Sequence, residues 1–476
     1  MNRFYVWGVL AILGVALAPS ASAQTRYRVT DLGLISGGTW YQPQAINDLG
    51  EIAGTAGVGM DARGFRWSQA GGISVILPLG TDTSCGAYGI NNLGTIVGRS
   101  WSTPDDSRGF VAPANTPQAM SLTTVGPWTA GNAINDSGEI VGYGMDSIGR
   151  TYAARWVGGV GIVIGPVHSA ATDINGSGKI AGYFGIGANR RGFVFENGSL
   201  TDIGVPSTPG YDTAATSAEA MNSLGRVVGT TEYTLSGAPF YAGFDWTSQS
   251  GISDFGVESR TWDINDSGRP VGFGRLTTGA AVAVVWENGV RVNLNTRLDS
   301  STGWSLSTAF AINNSGWIVG EGWRQGPRGW LAKPIPVTLA GTVNLADFLG
   351  TYTTQNVVVE LRQGPYLIES RTVALNASRA FSFTVERRGS FDIFVKSSTF
   401  LRKKLAGVTI GDTGASGLVW TLANGDVDGN NEVNSDDFDL LVANFGGAGT
   451  GDVNRDGVVN SDDFDILVRN FGLLGD

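Results

Sequence analysis

One cysteine and one histidine are all that 476 residues contain. Cys85 alone cannot form an internal disulfide, so stability must come from packing and bound metal, and a free buried thiol is expected. His168 alone excludes Ser-His-Asp triads and zinc sites built from several imidazoles, and is expected in a loop or the core. Basic charge is also scarce: 32 Lys and Arg stand against 42 Asp and Glu, with no basic stripe, which argues against nucleic acid. Long apolar runs are absent beyond the start of the chain. There, Arg3, the run Phe4–Ala18 and the small-residue ending Ala21-Ser22-Ala23 read as a secretory signal over residues 1–23, cleaved before Gln24. That run is too short for a good membrane span, so the mature protein is expected without a transmembrane segment, outside the cell or on its surface. Helical periodicity is rare and glycine abundant, with 71 residues, so the chain should be mainly β.

What is present is repetition. The phrase AINDLGEIAG at 45–54 returns six times, at 89–98, 133–142, 173–182, 220–229, 263–272 and 311–320. The starts lie 40 to 48 residues apart, the period of a four-stranded propeller blade. Each copy has Asn third (Asn47, Asn91, Asn135, Asn175, Asn222, Asn265, Asn313) and Gly sixth, as a tight hairpin requires. The Asn side chain is expected to bond backbone amides two residues on, and the Gly to supply a positive φ. A Gly closes each copy, permitting a bend or close backbone approach. The asparagines thus read as structural, the alternative being a ring of ligand-binding amides.

An aromatic or apolar strand follows each Asn, from Gly64–Trp67 to Gly329–Ala332. A further strand closes only six units, among them Ser74–Gly80, Ala119–Gly126 and Val290–Asn295. The seventh is supplied from the other end, because Tyr27–Gly33 (YRVTDLG) matches SLTDIG and GISDFG. The expectation is a seven-bladed β-propeller over 24–333, its last blade completed by the N-terminal strand. Pro334 and Pro336 mark the joint to residues 334–424, where short alternating strands over Val337–Val343, Val357–Leu361, Arg371–Leu375, Ala380–Val385 and Phe391–Lys396 predict a small β-sandwich.

The net charge of −10 sits at the end, where residues 425–476 hold 12 acidic and 2 basic residues. Two 12-residue loops place oxygen ligands at the spacing a hard cation needs: Asp426, Asp428, Asn430, the Glu432 carbonyl, Asn434 and Asp437, then Asp452, Asn454, Asp456, the Val458 carbonyl, Asn460 and Asp463. Asn431 and Gly457 at the sixth positions tolerate the left-handed turn. Each loop runs into an apolar helix, expected over Asp437–Phe445 and Asp463–Phe471. Two Ca²⁺ ions are expected, in an α-helical module over 425–476 that is largely unfolded without them.

Residues 425–476, with D-x-[DN]-x-[DN]-x-x-V-N-S-x-D twice, resemble a dockerin type I module. The resemblance implies docking onto a cohesin-like partner through one helix face, with Ser435, Asp436, Ser461 and Asp462 at the recognition positions. Residues 26–333, with I-N-x-x-G-x-[IV]-x-G followed by a G-F-x-W-like strand, resemble the HAF family of extracellular repeats, which implies location and brings no catalytic residues. The segment 334–424 is similar to immunoglobulin-like or prealbumin-like sandwiches of secreted proteins.

Five tryptophans, Trp40, Trp101, Trp128, Trp304 and Trp323, map to the propeller face opposite the Asn hairpins. There they either cap the blade core or stack on a polysaccharide or a surface protein. No catalytic residues are assigned. Asp105, Asp106, Asp146 and Glu232 are the loop carboxylates from which a glycosidase pair would have to come. The chain therefore reads as a secreted modular binding protein, the alternative being a carbohydrate-active hydrolase or lyase.

Overall fold

The computed structural model describes residues 25–476 apart from 104–105, 114–117, 120–125, 127, 207–210, 212, 288, 300–302 and 412. The signal expected over 1–23, and Asp105, lie outside the described residues, as does most of the strand expected over Ala119–Gly126. Two compact units are present, Arg26–Pro334 and Ile335–Asp476.

The chain is mainly β, and the first unit is built of seven four-stranded antiparallel sheets, propeller-like in arrangement. Six are simple meanders; the seventh runs Ser305–Ile312, Ile318–Trp323, Pro327–Pro334 and then Tyr27–Asp31, the strand from the other end of the unit. Tyr27 pairs with Pro334 and Asp31 with Trp330. Tyr27 is wholly buried, and its hydroxyl accepts a bond from Arg269 Nη1 at 3.2 Å.

Each repeat forms the turn between the first and second strands of a sheet. Gly50, Gly94, Gly138, Gly178, Gly225, Gly268 and Gly316 all have φ between 72° and 80°, the conformation that excludes most side chains. The Asn oxygen does more than the two-residue bond expected. In all seven copies it accepts the amide four residues on, from Glu51 N at 2.8 Å to Trp317 N at 2.9 Å, while the amide two residues on joins it in copies such as Asn91, Asn175 and Asn222. The Asn nitrogen reaches the next sheet. Asn47 donates to the Asn91 carbonyl, and so on through Asn135, Asn175, Asn222, Asn265 and Asn313, at 3.0 to 3.4 Å. Asn313 donates to Asn47. These buried amides are consumed in joining sheets, so the structural role holds for them and the ligand-binding one does not.

The closing Gly of each repeat meets the first strand closely. A Cβ on Gly98, Gly142, Gly272 or Gly320 would overlap the carbonyl oxygen of Gly86, Ala130, Arg260 or Thr308. A one-residue bulge follows in the first strand of every sheet, which leaves Gln44, Tyr88, Asn132, Thr172, Glu219, Trp262 and Phe310 without a pairing partner. Between sheets the core is filled by large side chains, among them Phe65, Phe110, Trp156, Phe193, Phe244, Trp286 and Trp330.

In the second unit, a three-stranded and a four-stranded sheet share one core around Leu339, Val359, Phe391, Ile393 and Trp420. Five of the seven strands are those expected. Lys403–Ile410 and Ala415–Leu422 were not, the latter running parallel to Val337–Leu345. The two helices, α1 (Ser435–Ala443) and α2 (Ser461–Asn470), begin two residues earlier than expected. Asn434 and Asn460 are their N-caps, and Asp437 and Asp463, expected as first helical residues, are the third positions of capping boxes. The helices pack on Val433, Leu441, Val453, Val459 and Leu467, with Leu401 joining from the strand-rich part of the unit.

Candidate functional site

The two acidic loops are built alike. Asp437 Oδ1 accepts the amides of Val427 and Asp428 and its Oδ2 that of Asn434; Asp463 Oδ1 accepts those of Val453 and Asn454 and its Oδ2 that of Asn460. Asn431 and Gly457 have φ of 75° and 105°, so both sixth positions make the sharp turn. In the first loop, carboxylate oxygens of Asp426, Asp428 and Asp437 lie within 4.8 Å of one another, close enough to share a metal ion. Asp426 is fully buried and its Oδ1 has no hydrogen-bond partner, as expected of an oxygen meant for a cation. The donor set, oxygen only, suits Ca²⁺ or another hard cation. In the second loop, Asp452 oxygens accept the amides of Asp456 and Gly457, and Asn454 Oδ1 accepts that of Asp456.

Asn434 and Asn460, expected at the ninth ligand position, use their oxygens to cap α1 and α2, accepting Asp436 N and Asp462 N. That leaves them a water-mediated role, which the ninth position often has. Asn430 Oδ1 accepts Glu432 N, and Val458 N donates to Asp456 Oδ1, both bonds internal to their loops. Ser435, Asp436, Ser461 and Asp462 are exposed on the first turns of the helices. Val442, Phe445, Phe464, Val468 and Phe471 are exposed apolar side chains on or beside them.

Among the described residues, one contact in the first loop has no counterpart in the second. Lys396 Nζ, from the strand Gly389–Lys396, lies 2.5 Å from Asp426 Oδ2 and 2.9 Å from the Phe400 carbonyl. Burial pushes the Asp426 carboxyl up and the Lys396 ammonium opposes that.

The five tryptophans stand at the ends of first and second strands away from the Asn turns, with Trp101 opposite Ser84 and Trp323 opposite Ser305. Two of them come together. Trp40 and Trp323, 40% and 60% exposed, line one pocket of about 270 Å³ with Ser305, Ser307, Glu321 and Arg328. Burial raises the Glu321 carboxyl, and Thr308 donates to it. The others do not line that pocket. Trp101 stacks under the Arg99 guanidinium at 4.8 Å, Trp304 packs on the core of its sheet with Arg324 over it, and Trp128 is half-buried.

A larger cavity, about 510 Å³, lies at the Asn-turn end, lined by the bulge side chains of all seven sheets. The sequence reading passed over it. Those residues share no chemistry, and the only signal was position, one residue before each repeat. Asp173 and Asp263 lie in it, each accepting its neighbour's amide and one from the next sheet, Met221 N and Ile312 N. Desolvation, and for Asp263 the nearby Asp173 charge, pushes both carboxyls up, Asp263 to about 8. Glu219 rises to about 7 by burial, against Ser217, Arg190 and Arg260, which favour its charged form.

Two of the described loop carboxylates are paired with arginines. Asp146 is held by Arg150 at 2.8 Å and by two backbone amides, and Glu232 pairs with Arg190 at 3.1 Å. The Asp106 amide closes a turn onto the Thr103 carbonyl. His168 sits at φ 61° in the connection between two sheets. Cys85 is buried, bonded to Gly64 N and the Ile76 carbonyl, and desolvation pushes its thiol up to about 11. Among the described residues, no helix is long and apolar enough to cross a membrane.

No family model and no curated protein matches the chain. Among solved structures, it is similar to a mutant type II cohesin–X–dockerin complex from Acetivibrio cellulolyticus (17% identity, 29% of this chain and 97% of that one, TM-score 0.26). It is also similar to virginiamycin B lyase from Staphylococcus aureus (11% identity, 66% and 100%, TM-score 0.37). A third is oligogalacturonate lyase from Vibrio parahaemolyticus (10% identity, 66% and 98%, TM-score 0.42). At such identities and overlaps the likeness concerns fold alone.

Proposed function

We propose that the chain is a secreted, non-enzymatic modular binding protein: a closed seven-bladed propeller of HAF-like repeats, a sandwich spacer, and a dockerin-like module that takes two Ca²⁺ ions and docks onto a cohesin-like partner. The observation that carries this reading is the twofold construction of the acidic loops. Asp437 and Asp463 bond the same three loop amides, and Asp426, Asp428 and Asp437 converge around an orphaned oxygen. The first ion would be held by Asp426, Asp428, Asn430, the Glu432 carbonyl and Asp437, the second by Asp452, Asn454, Asp456, the Val458 carbonyl and Asp463. Bound calcium neutralises carboxylates that otherwise repel and so fixes the helices. Val442, Phe464 and Val468, with the exposed Ser435, Asp436, Ser461 and Asp462, then offer a firm apolar face to a partner.

On the propeller, Trp40 and Trp323 supply two indole planes in one pocket with polar neighbours, the chemistry of a sugar-stacking site on a polysaccharide or glycosylated surface protein. The deciding experiment is a pull-down of the full chain from its native secretome with and without a calcium chelator. A partner retained only with calcium supports docking; identical recovery in chelator refutes it. On a glycan array, binding lost in the Trp40→Ala, Trp323→Ala double variant at unchanged melting temperature supports the propeller part.

A further inference from the structure

The cavity at the Asn-turn end has an unusual balance of charge. Its lining includes six carboxylates, Asp48, Asp136, Asp173, Glu219, Asp263 and Asp266, and no Lys, Arg or His. Arg190 and Arg260 act on Glu219, and Arg260 and Arg99 each lie 6.0 Å from a ring centroid, of Trp262 and Tyr88, but none of the three lines the cavity. Three aromatic side chains, Tyr88, Trp262 and Phe310, share the wall, each at the bulge of its sheet. An anion would meet uncompensated repulsion there. A neutral ligand would displace water from the carboxylates without replacing its stabilisation. A cation gains from both the carboxylates and the ring faces.

The cation is organic. A metal ion needs several carboxylate oxygens within one coordination sphere, and among the described residues only the Asp426 group meets that condition. The funnel carboxylates are dispersed around a volume of small-molecule size. Asp173 and Asp263 also direct both oxygens to backbone amides, leaving field more than free ligand positions. Trp262 Nε1 and Gln44 Oε1 are buried beside the cavity without a hydrogen-bond partner.

We propose that this cavity binds a small organic ammonium ion, its charge set among the carboxylates of Asp173, Glu219 and Asp263 and its methyl or methylene groups against Trp262, Tyr88 and Phe310. The site lies away from the tryptophan rim and is independent of docking through the calcium module. Its selectivity is for positive charge with apolar substituents, such as a quaternary ammonium group.

Calorimetric titration of the full chain with choline at pH 9, where Asp263 and Glu219 are ionised, and in saturating calcium so that the loops are filled, tests this. Saturable one-site binding is expected, with none for glucose. Trp262→Ala should weaken it about ten-fold, as loss of a desolvated cation–π partner does. Gln44→Lys places an ammonium at the cavity wall, at a side chain whose oxygen bonds nothing, and should abolish binding in a variant whose circular dichroism spectrum matches the wild type. Absence of choline binding at millimolar concentration, binding unchanged in Gln44→Lys, or equal binding of glucose would each overturn the proposal.

Discussion

Asn313 Nδ2 donates to the Asn47 carbonyl at 3.0 Å, a contact between residues 266 apart in sequence. Asn47 makes the same bond to Asn91, 44 residues on, so the link that joins neighbouring repeats also joins the last to the first. Asn313→Ala removes this buried donor and the part-buried acceptor of Trp317 N. The Asn47 carbonyl keeps its bond from Gly50 N, but Trp317 N is left without its acceptor, which costs about 1–3 kcal/mol, so a loss in chemical denaturation is expected. Wild-type stability would show that solvent replaces the bonds freely.

Tyr27 fastens the opposite edge of the same sheet. Its ring is fully buried against Leu294, Trp330 and Ala332, and its hydroxyl meets the buried Arg269 guanidinium. Tyr27→Ala is expected to cost about 3–5 kcal/mol, the range for deleting a buried aromatic. Tyr27→Phe isolates the hydroxyl and should cost less, read as a smaller fall in melting temperature.

Much of this was legible before the coordinates, for definite reasons. The turn glycines such as Gly50 announce themselves because few other residues adopt φ near 80°. Loop carboxylates such as Asp426 and Asp437 stand out because their spacing is the one that lets several oxygens reach a single cation. The bulge ring was not legible: Gln44, Tyr88, Glu219 and Trp262 have only register in common, and register belongs to strand pairs. Helix α1 was placed two residues late because Asp437 was read as a first helical residue, when its carboxylate reaches back to Asn434 N as the third. The strand Lys403–Ile410 escaped because its lysines and glycine hide the alternation.

The half-buried carboxylates of the cavity set a pH dependence. Asp263 and Glu219 have folded-state values near 8 and 7, above those of an unfolded chain, and Asp173 is also raised. Groups raised on folding bind protons more tightly in the native state. Their contribution is full below the unfolded values near 4 and is lost as pH rises through 7 to 8. Stability should therefore decline from pH 5 to 8.5, and Asp263→Asn, which cannot titrate, should flatten the decline. Urea denaturation across that range in saturating calcium checks the slope.

Calcium should act on the two loops unequally. The Lys396 ammonium lies 2.5 Å from Asp426 Oδ2 in the first loop, so a metal ion bound through the free Oδ1 shares its carboxylate with a second cation, which has no equivalent among the described residues at the second loop. Asp426 is fully buried and Lys396 partly so, which strengthens the coupling between the two charges. Two binding steps of different affinity are expected by calorimetry. Lys396→Met removes the competitor while keeping the apolar stem. It should tighten the weaker step about ten-fold, equivalent to ~1.4 kcal/mol, and leave the stronger one in place. The same substitution should lower the stability of the calcium-free protein, because Asp426 then stands buried beside Asp437 without compensation. A variant with unchanged affinity and unchanged calcium-free stability would mean that the ammonium and the carboxylate are not coupled.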